Sequence, residues 1–201
     1  HANVTGTSVI LEAARHAGVE RMVVASSSSV YGNNPKTPFS EEDAVEHPIS
    51  PYAATKRACE LICDTHHHLT RMPTACLRFF TVFGPGQRPD LAIRLFMQRI
   101  ARGEAITMFG DGSMSRDFTF IDDIVAGVLA AYDRIPSFGY RVWNLGHDHP
   151  VRLDEMIRTI EGVVGKRAEI RPEAPSPGDV ERTWADLSRA RRELDYAPRT
   201  A

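Results

Sequence analysis

Along this chain, short apolar runs alternate with longer stretches whose apolar residues return every three or four positions. Residues 3–17 carry Val4, Ile10, Leu11 and Ala14 on a helical period and meet Gly18, a natural stop. The apolar run 21–25 is too short for a helix and reads as a buried strand, followed by a polar loop over 32–49 rich in asparagine, proline and acid. Ser50-Pro51-Tyr52 has the chemistry of a helix start: a hydroxyl to accept an orphan N–H and a proline preset for the first turn. The spacing predicts a helix from Tyr52 to about residue 71, then a strand over 74–80. A glycine- and proline-rich loop over 81–90 leads to a helix over 91–102 bearing Leu91, Leu95, Phe96 and Ile100. A strand at 105–109 and a turn at Gly110-Asp111-Gly112 follow.

From Arg116 an alternating strand runs into a helix that Asp122 or Asp123 would cap and that reaches about residue 134. The pattern then predicts a strand at 141–145, a helix at 153–164, a fixed loop from Pro172 to Asp179 and a last helix at 187–194 capped by Asp186. Short apolar strands alternating with helices predict an α/β fold, a parallel sheet covered by helices.

Composition narrows the function. With 201 residues, 42% hydrophobic and 25% charged, the chain can bury a sizeable core. A net charge of -2 offers no basic field to nucleic acid. There is no signal peptide and no apolar run long enough for a membrane span, which predicts a cytoplasmic protein. Cys59, Cys63 and Cys76 fit a reducing compartment rather than a disulfide framework. Cys59 and Cys63 lie one helical turn apart without a second ligand pair, so they read as core or surface residues and no metal is expected. His66-His67-His68, at a helix end, is expected in solvent.

The candidate chemistry sits between Ala25 and Lys56. Tyr52 and Lys56 are four residues apart on one helix, so their side chains share a face. An ammonium beside a phenol stabilises the phenolate, which is what a tyrosine needs to serve as a general base. The run Ser26-Ser27-Ser28-Ser29 ends a strand, where hydroxyls can point into a cleft. Each piece alone has an ordinary explanation, a surface pair and a turn. Together, in strand–loop–helix order, they are far more specific.

These motifs, with Arg116-Asp117-Phe118, Pro177-Gly178-Asp179 and the segments around Leu77-Arg78-Phe79-Phe80 and Arg88-Pro89-Asp90, resemble the extended short-chain dehydrogenase/reductases, the NAD-dependent sugar-nucleotide epimerases and dehydratases. The resemblance covers nearly the whole chain. It implies a Rossmann-like, doubly wound parallel sheet with a smaller α/β substrate-binding domain. Residues 1–84 would be the C-terminal portion of the NAD-binding domain. Residues 85–201 would bind mainly the nucleotide sugar, with about 116–145 returning to the first domain. No glycine-rich pyrophosphate turn occurs in the sequence, so the chain looks like the C-terminal two thirds of such an enzyme.

The resemblance also implies roles. Ser27, four residues before Tyr31, matches the Ser/Thr that hydrogen-bonds the reacting sugar hydroxyl. Tyr52 matches the general base, and Lys56 the residue that binds the nicotinamide ribose. Asn3 and Ser26 fall on the cofactor side, and Arg116 would grip the diphosphate. From charge alone Arg116 reads as a surface arginine paired to Asp117, and it is the resemblance that reverses this. Asp179 would contact the nucleotide ribose, although Ser176 stands where the family often has an arginine. Family dehydratases follow the catalytic Ser/Thr with Asp-Glu, whereas Ser28 and Ser29 stand here, which disfavours dehydration.

The motif string is most similar to UDP-glucuronate 4-epimerases. Ser28, Ser29 and Thr81 would offer hydroxyls to a sugar carboxylate, and Arg88 either a charged contact or a solvent-facing loop residue. A UDP-glucose 4-epimerase, a UDP-glucuronate decarboxylase and a non-catalytic fragment unable to bind NAD are the alternatives. Family members pair as homodimers through the two helices flanking the serine strand. The apolar residues of those helices could equally face the chain's own sheet.

Overall fold

The computed structural model describes residues 2–174 and 180–200. Helix α1 (Val4–His16) closes against Gly18 at φ +69, where a side chain would be strained, and leads to strand β1 (Met22–Ala25). A short 3-10 turn, Ser28–Tyr31, follows it. Helix α2 (Pro51–Thr70) starts as the sequence requires: the Ser50 hydroxyl accepts the Ala53 N–H at 3.1 Å and Pro51 occupies the first turn. Then come β2 (Thr74–Phe79), β3 (Thr81–Phe83), α3 (Ala92–Arg102), β4 (Ile106–Phe109), β5 (Ser115–Phe120) and α4 (Ile121–Arg134). The chain ends with β6 (Tyr140–Leu145), β7 (Pro150–Arg152), α5 (Leu153–Val164), β8 (Ile170–Glu173) and α6 (Ser188–Leu194).

The main sheet is parallel, in the order β1-β2-β6, with Ala25 opposite Leu77 and Phe79 opposite Leu145. Strand alternation divides it between two cores. Met22, Val24, Cys76, Tyr140 and Val142 face the cluster around Leu11 and Cys63 of α1 and α2. Val23, Ala75, Leu77, Trp143 and Leu145 face Ile124 and Ala131 of α4 and Ala190 and Leu194 of α6. A sheet buried on both faces by helices is the doubly wound arrangement. A second cluster unites Phe96 and Ile100 of α3, Ile106 of β4 and Met156, Ile157 and Ile160 of α5, beside the parallel β4–β8 pair. A third small sheet, β3-β5-β7, alternates with strands of the other two along the chain, with Thr81 opposite Phe118.

Several expectations change. Residues 81–83 form a strand, because Thr-Val-Phe is β-prone and the glycines begin only at Gly84. Asp122 and Asp123 lie inside the first turn of α4 rather than capping it, and the Asp123 carboxylate accepts the N–H groups of Arg199 and Thr200, both at 3.0 Å. His66 and His67 are half-buried rather than in solvent: His67 bonds the Met72 carbonyl through Nδ1 and packs against Gly139. All three cysteines are free and lie in the core. Arg116 is not an ion-pair partner of Asp117, whose buried carboxylate accepts the N–H groups of His147, Asp148 and Ala185 at 2.7, 3.0 and 2.9 Å. Burial pushes that carboxyl's pKa up, against the lowering by those three donors. No described helix is long and apolar enough to cross a membrane.

Candidate active site

At the carboxyl edge of the main sheet, β1 delivers the serine run, and Thr81 opens β3 two residues past the end of β2. Parallel α/β sheets bind their ligands at this edge. Ser27 has extended backbone (φ -158) and caps the 3-10 turn: its Oγ accepts the Ser29 N–H at 3.2 Å and the Ser29 hydroxyl at 2.9 Å. Since Ser27 accepts both, its own proton remains for another oxygen. The Ser29 proton, by contrast, is engaged with Ser27. Ser28 opens the turn, half-buried.

Tyr52 occupies the first turn of α2 with 51% of its surface exposed, so its phenol is open to a ligand. Lys56 follows one turn later, its Nζ 5.9 Å from the centre of the Tyr52 ring and 2.8 Å from the Ala25 carbonyl that it donates to. The lysine therefore faces the strand that carries Ser27. Asn3 joins the same cluster: its Nδ2 donates to Thr55 Oγ1 at 2.9 Å, and that hydroxyl donates to the Tyr52 carbonyl at 2.8 Å. Ser26 is different. Its hydroxyl is buried and donates to Glu60 Oε1 at 2.6 Å, so it turns into the protein instead of the cleft.

Thr81 and Arg116 line one cavity of about 500 Å³ with Gln87, Leu91, Phe109 and Met156. Its wall is largely apolar, with a few polar groups that could orient a ligand. Half-buried Arg116 donates from Nη1 to the Ser115 and Glu181 carbonyls at 3.0 and 3.4 Å, which hold the guanidinium at that wall. Arg88 stays outside: its side chain is 73% exposed and lies 3.4 Å from Asp90. A larger cavity, about 770 Å³, lies between residues 33–37, 110–115 and 180–182, and none of the predicted site residues among the described ones lines it. Asp179 lies outside the described residues.

The Ser27, Tyr52, Lys56 and Asn3 cluster, set on a doubly wound sheet, is the arrangement expected of a short-chain oxidoreductase fold. The family model of the NAD dependent epimerase/dehydratase family matches residues 1–146. The chain belongs to this family.

Within the epimerase/dehydratase family, the chain is 41% identical to the UDP-glucuronate 4-epimerase of Thermodesulfobacterium geofontis, over 98% of this chain and 60% of that protein. It superposes on the UDP-glucuronic acid 4-epimerase of Bacillus cereus, solved with UDP-glucuronic acid and NAD, at a TM-score of 0.92, with 36% identity over 99% of this chain and 63% of that one. MoeE5, solved with UDP-glucuronic acid and NAD, gives a TM-score of 0.93 with 37% identity over 99% and 66% of the two chains; it has also been solved with UDP-glucose and NAD. The chain thus spans less than two thirds of the length of these relatives.

Glu60 and Arg78 were not among the residues singled out from sequence. Both are buried and touch the elements that carry the cluster. Two signals pointed to them. Glu60 continues the Tyr52–Lys56 face by one more turn, and Arg78 interrupts the apolar strand Ala75-Cys76-Leu77-Arg78-Phe79.

Proposed function

We propose that this chain is the catalytic and sugar-binding part of an NAD-dependent UDP-hexose 4-epimerase that interconverts UDP-glucuronate and UDP-galacturonate. The observation that carries the reading is the cluster at the end of β1, with Tyr52 open beside Lys56 and the Ser27 proton unspent. Tyr52 takes the proton from the C4 hydroxyl, and Ser27 donates to the same oxygen and aligns it. Lys56, with two N–H donors beyond the one on Ala25, stabilises the phenolate and reaches the nicotinamide ribose. The open phenol, the lysine and Asn3 fit that end of the cofactor. When bound, NAD supplies the reversible oxidation and reduction at C4. Arg116 holds the diphosphate from the wall of the 500 Å³ cavity, and Thr81 and Ser28 face the sugar. Asp179 remains the proposed ribose contact. Residues 85–201 supply most of the sugar-nucleotide surface.

The exposed position of Arg88, paired with Asp90, favours a second reading in which the hexose carries no carboxylate, as in UDP-glucose. Assaying the complete gene product on UDP-glucuronate and UDP-glucose, with chromatographic separation of products, decides between them. UDP-galacturonate from the first is expected. Undiminished turnover in Tyr52→Phe would overturn the mechanism.

The same reading includes a homodimer. Leu11 and Cys63 turn inward from α1 and α2, but Val9, Ile10, Leu61 and Leu69 are exposed, Leu69 by 74%. Covering these side chains with a second copy would remove them from water. A monomer by light scattering at micromolar concentration would overturn it.

A further inference from the structure

Glu60 is fully buried on α2, one turn beyond Lys56. Its carboxylate accepts four hydrogen bonds. On Oε1 they come from the Ser26 hydroxyl at 2.6 Å and Arg78 Nε at 2.8 Å. On Oε2 they come from Arg78 Nη2 at 2.9 Å and Arg57 Nη1 at 3.0 Å. A bidentate arginine together with a second guanidinium meets the charge of the acid at each oxygen. Burial alone would raise the carboxyl's pKa, but the hydrogen bonds and charge of Arg78, with Ser26 and Arg57, hold it below the ordinary range. Arg78 in turn sits 4.8 Å from the ring centre of Tyr31, whose hydroxyl donates to Asn144 Oδ1 of β6 at 2.7 Å.

The geometry is that of a two-point clamp. Consecutive turns of α2 grip consecutive residues at the end of β1: Lys56 holds the Ala25 carbonyl, and Glu60 holds the Ser26 hydroxyl. One attachment would fix where the strand end lies; two fix its direction as well. The next residue is Ser27. None of the groups bonded to the Glu60 carboxylate needs to touch the ligand, yet each belongs to α2, to the segment leaving β1 or to β2. We propose that Glu60, through Ser26 and Arg78, is a positioning residue that sets the Ser27 hydroxyl against Tyr52 for reaction. This rests on the reading of Ser27, Tyr52 and Lys56 given above.

Glu60→Gln would leave the buried Arg78 guanidinium, and the half-buried Arg57 beside it, without their carboxylate, which risks the fold itself. Ser26→Ala removes one hydrogen bond and leaves the ion pairs in place, so it carries the test in the complete gene product. The expected result is a fall in kcat of about tenfold with KM for the UDP-sugar held within about twofold, since sub-ångström misplacement of a reacting group costs rate more than binding. Melting temperature should move by no more than about 5 °C, the scale set by one hydrogen bond in a chain of this size. In a Ser27→Ala background, where the hydroxyl being positioned is gone, Ser26→Ala should cost less than about twofold, because the two residues act as one unit. Full kcat in Ser26→Ala, or the same tenfold loss in both backgrounds, would overturn the positioning role while leaving the catalytic reading intact. Wild-type turnover in Ser27→Ala alone would remove the catalytic reading, and the positioning role with it.

Discussion

Lys56 donates from Nζ to the Ala25 carbonyl at 2.8 Å, pinning the second turn of α2 to the last residue of β1. That bond spans the two elements on which the candidate chemistry stands, so the lysine's place is set by the backbone of the strand as well as by its own helix. Replacing it with methionine removes the charge beside Tyr52 and the tether together. Lys56→Met is expected to lower turnover by at least about a hundredfold, the lower end of a general acid–base contribution. Lys56→Arg should not restore it, because a planar fork cannot take the place of a compact ammonium. Rates of product formation in the complete gene product check this; near-normal turnover in Lys56→Met would contradict it.

Arg116 is held at the wall of the 500 Å³ cavity by the Ser115 and Glu181 carbonyls. A residue that grips a diphosphate equally in ground and transition states affects binding rather than the chemical step. Arg116→Ala should weaken UDP binding by about ten- to a hundredfold, measured by titration calorimetry, the loss expected of a charge-assisted contact. Unchanged UDP affinity would place the diphosphate elsewhere.

Gly146, just after β6, has no room for a side chain. A Cβ there would lie 2.6 Å from the Ala185 Cβ and 3.1 Å from Asp117 Oδ2. Gly146→Ala should therefore destabilise the protein by about 1–3 kcal/mol, the usual cost of overpacking, and disturb the carboxylate that collects three backbone N–H groups. Denaturant unfolding measures it, and an unchanged midpoint would show that the neighbours yield.

Glu193 on α6 accepts from Arg141 Nε at 2.9 Å and Trp143 Nε1 at 2.9 Å, joining the last helix to β6. The Arg141 hydrogen bonds, with help from Arg192 and Trp143, hold its carboxyl down to about 2, against the effect of burial. A carboxylate with a depressed folded-state pKa stabilises the fold above its unfolded pKa of about 4.3 and loses that contribution as pH falls toward 2. Glu193→Gln should cost about 2 kcal/mol at pH 7, the scale of hydrogen bonds to a charged group, and the gap to wild type should narrow between pH 4 and 2. A pH-independent gap in urea midpoints would deny the ionic contribution.

Much of the fold was legible because its signals are local. The serine–proline start of α2 and the glycine stop after α1 act within a few residues of themselves, and the structure places both as the sequence predicts. The Tyr52–Lys56 spacing was legible for the same reason, since a helix puts such a pair on one face whatever surrounds it. The sequence misjudged sites where a distant partner prevailed. Asp123 is drawn from helix capping by the N–H groups of Arg199 and Thr200, and Asp117 from Arg116 by three backbone donors.

By itself, then, the sequence determined the order and type of most elements and pointed to the proposed catalytic group, because periodicity, caps and motif spacing are written into neighbouring residues. Only the tertiary structure decided which polar groups are buried together. It turned Ser26 inward to Glu60, brought Arg78 of β2 onto the same carboxylate and left Arg88 in solvent with Asp90. The physical reason is that a buried charge must find its partners across the fold, and those partners come from strands and helices far apart in sequence that meet only when the sheet assembles.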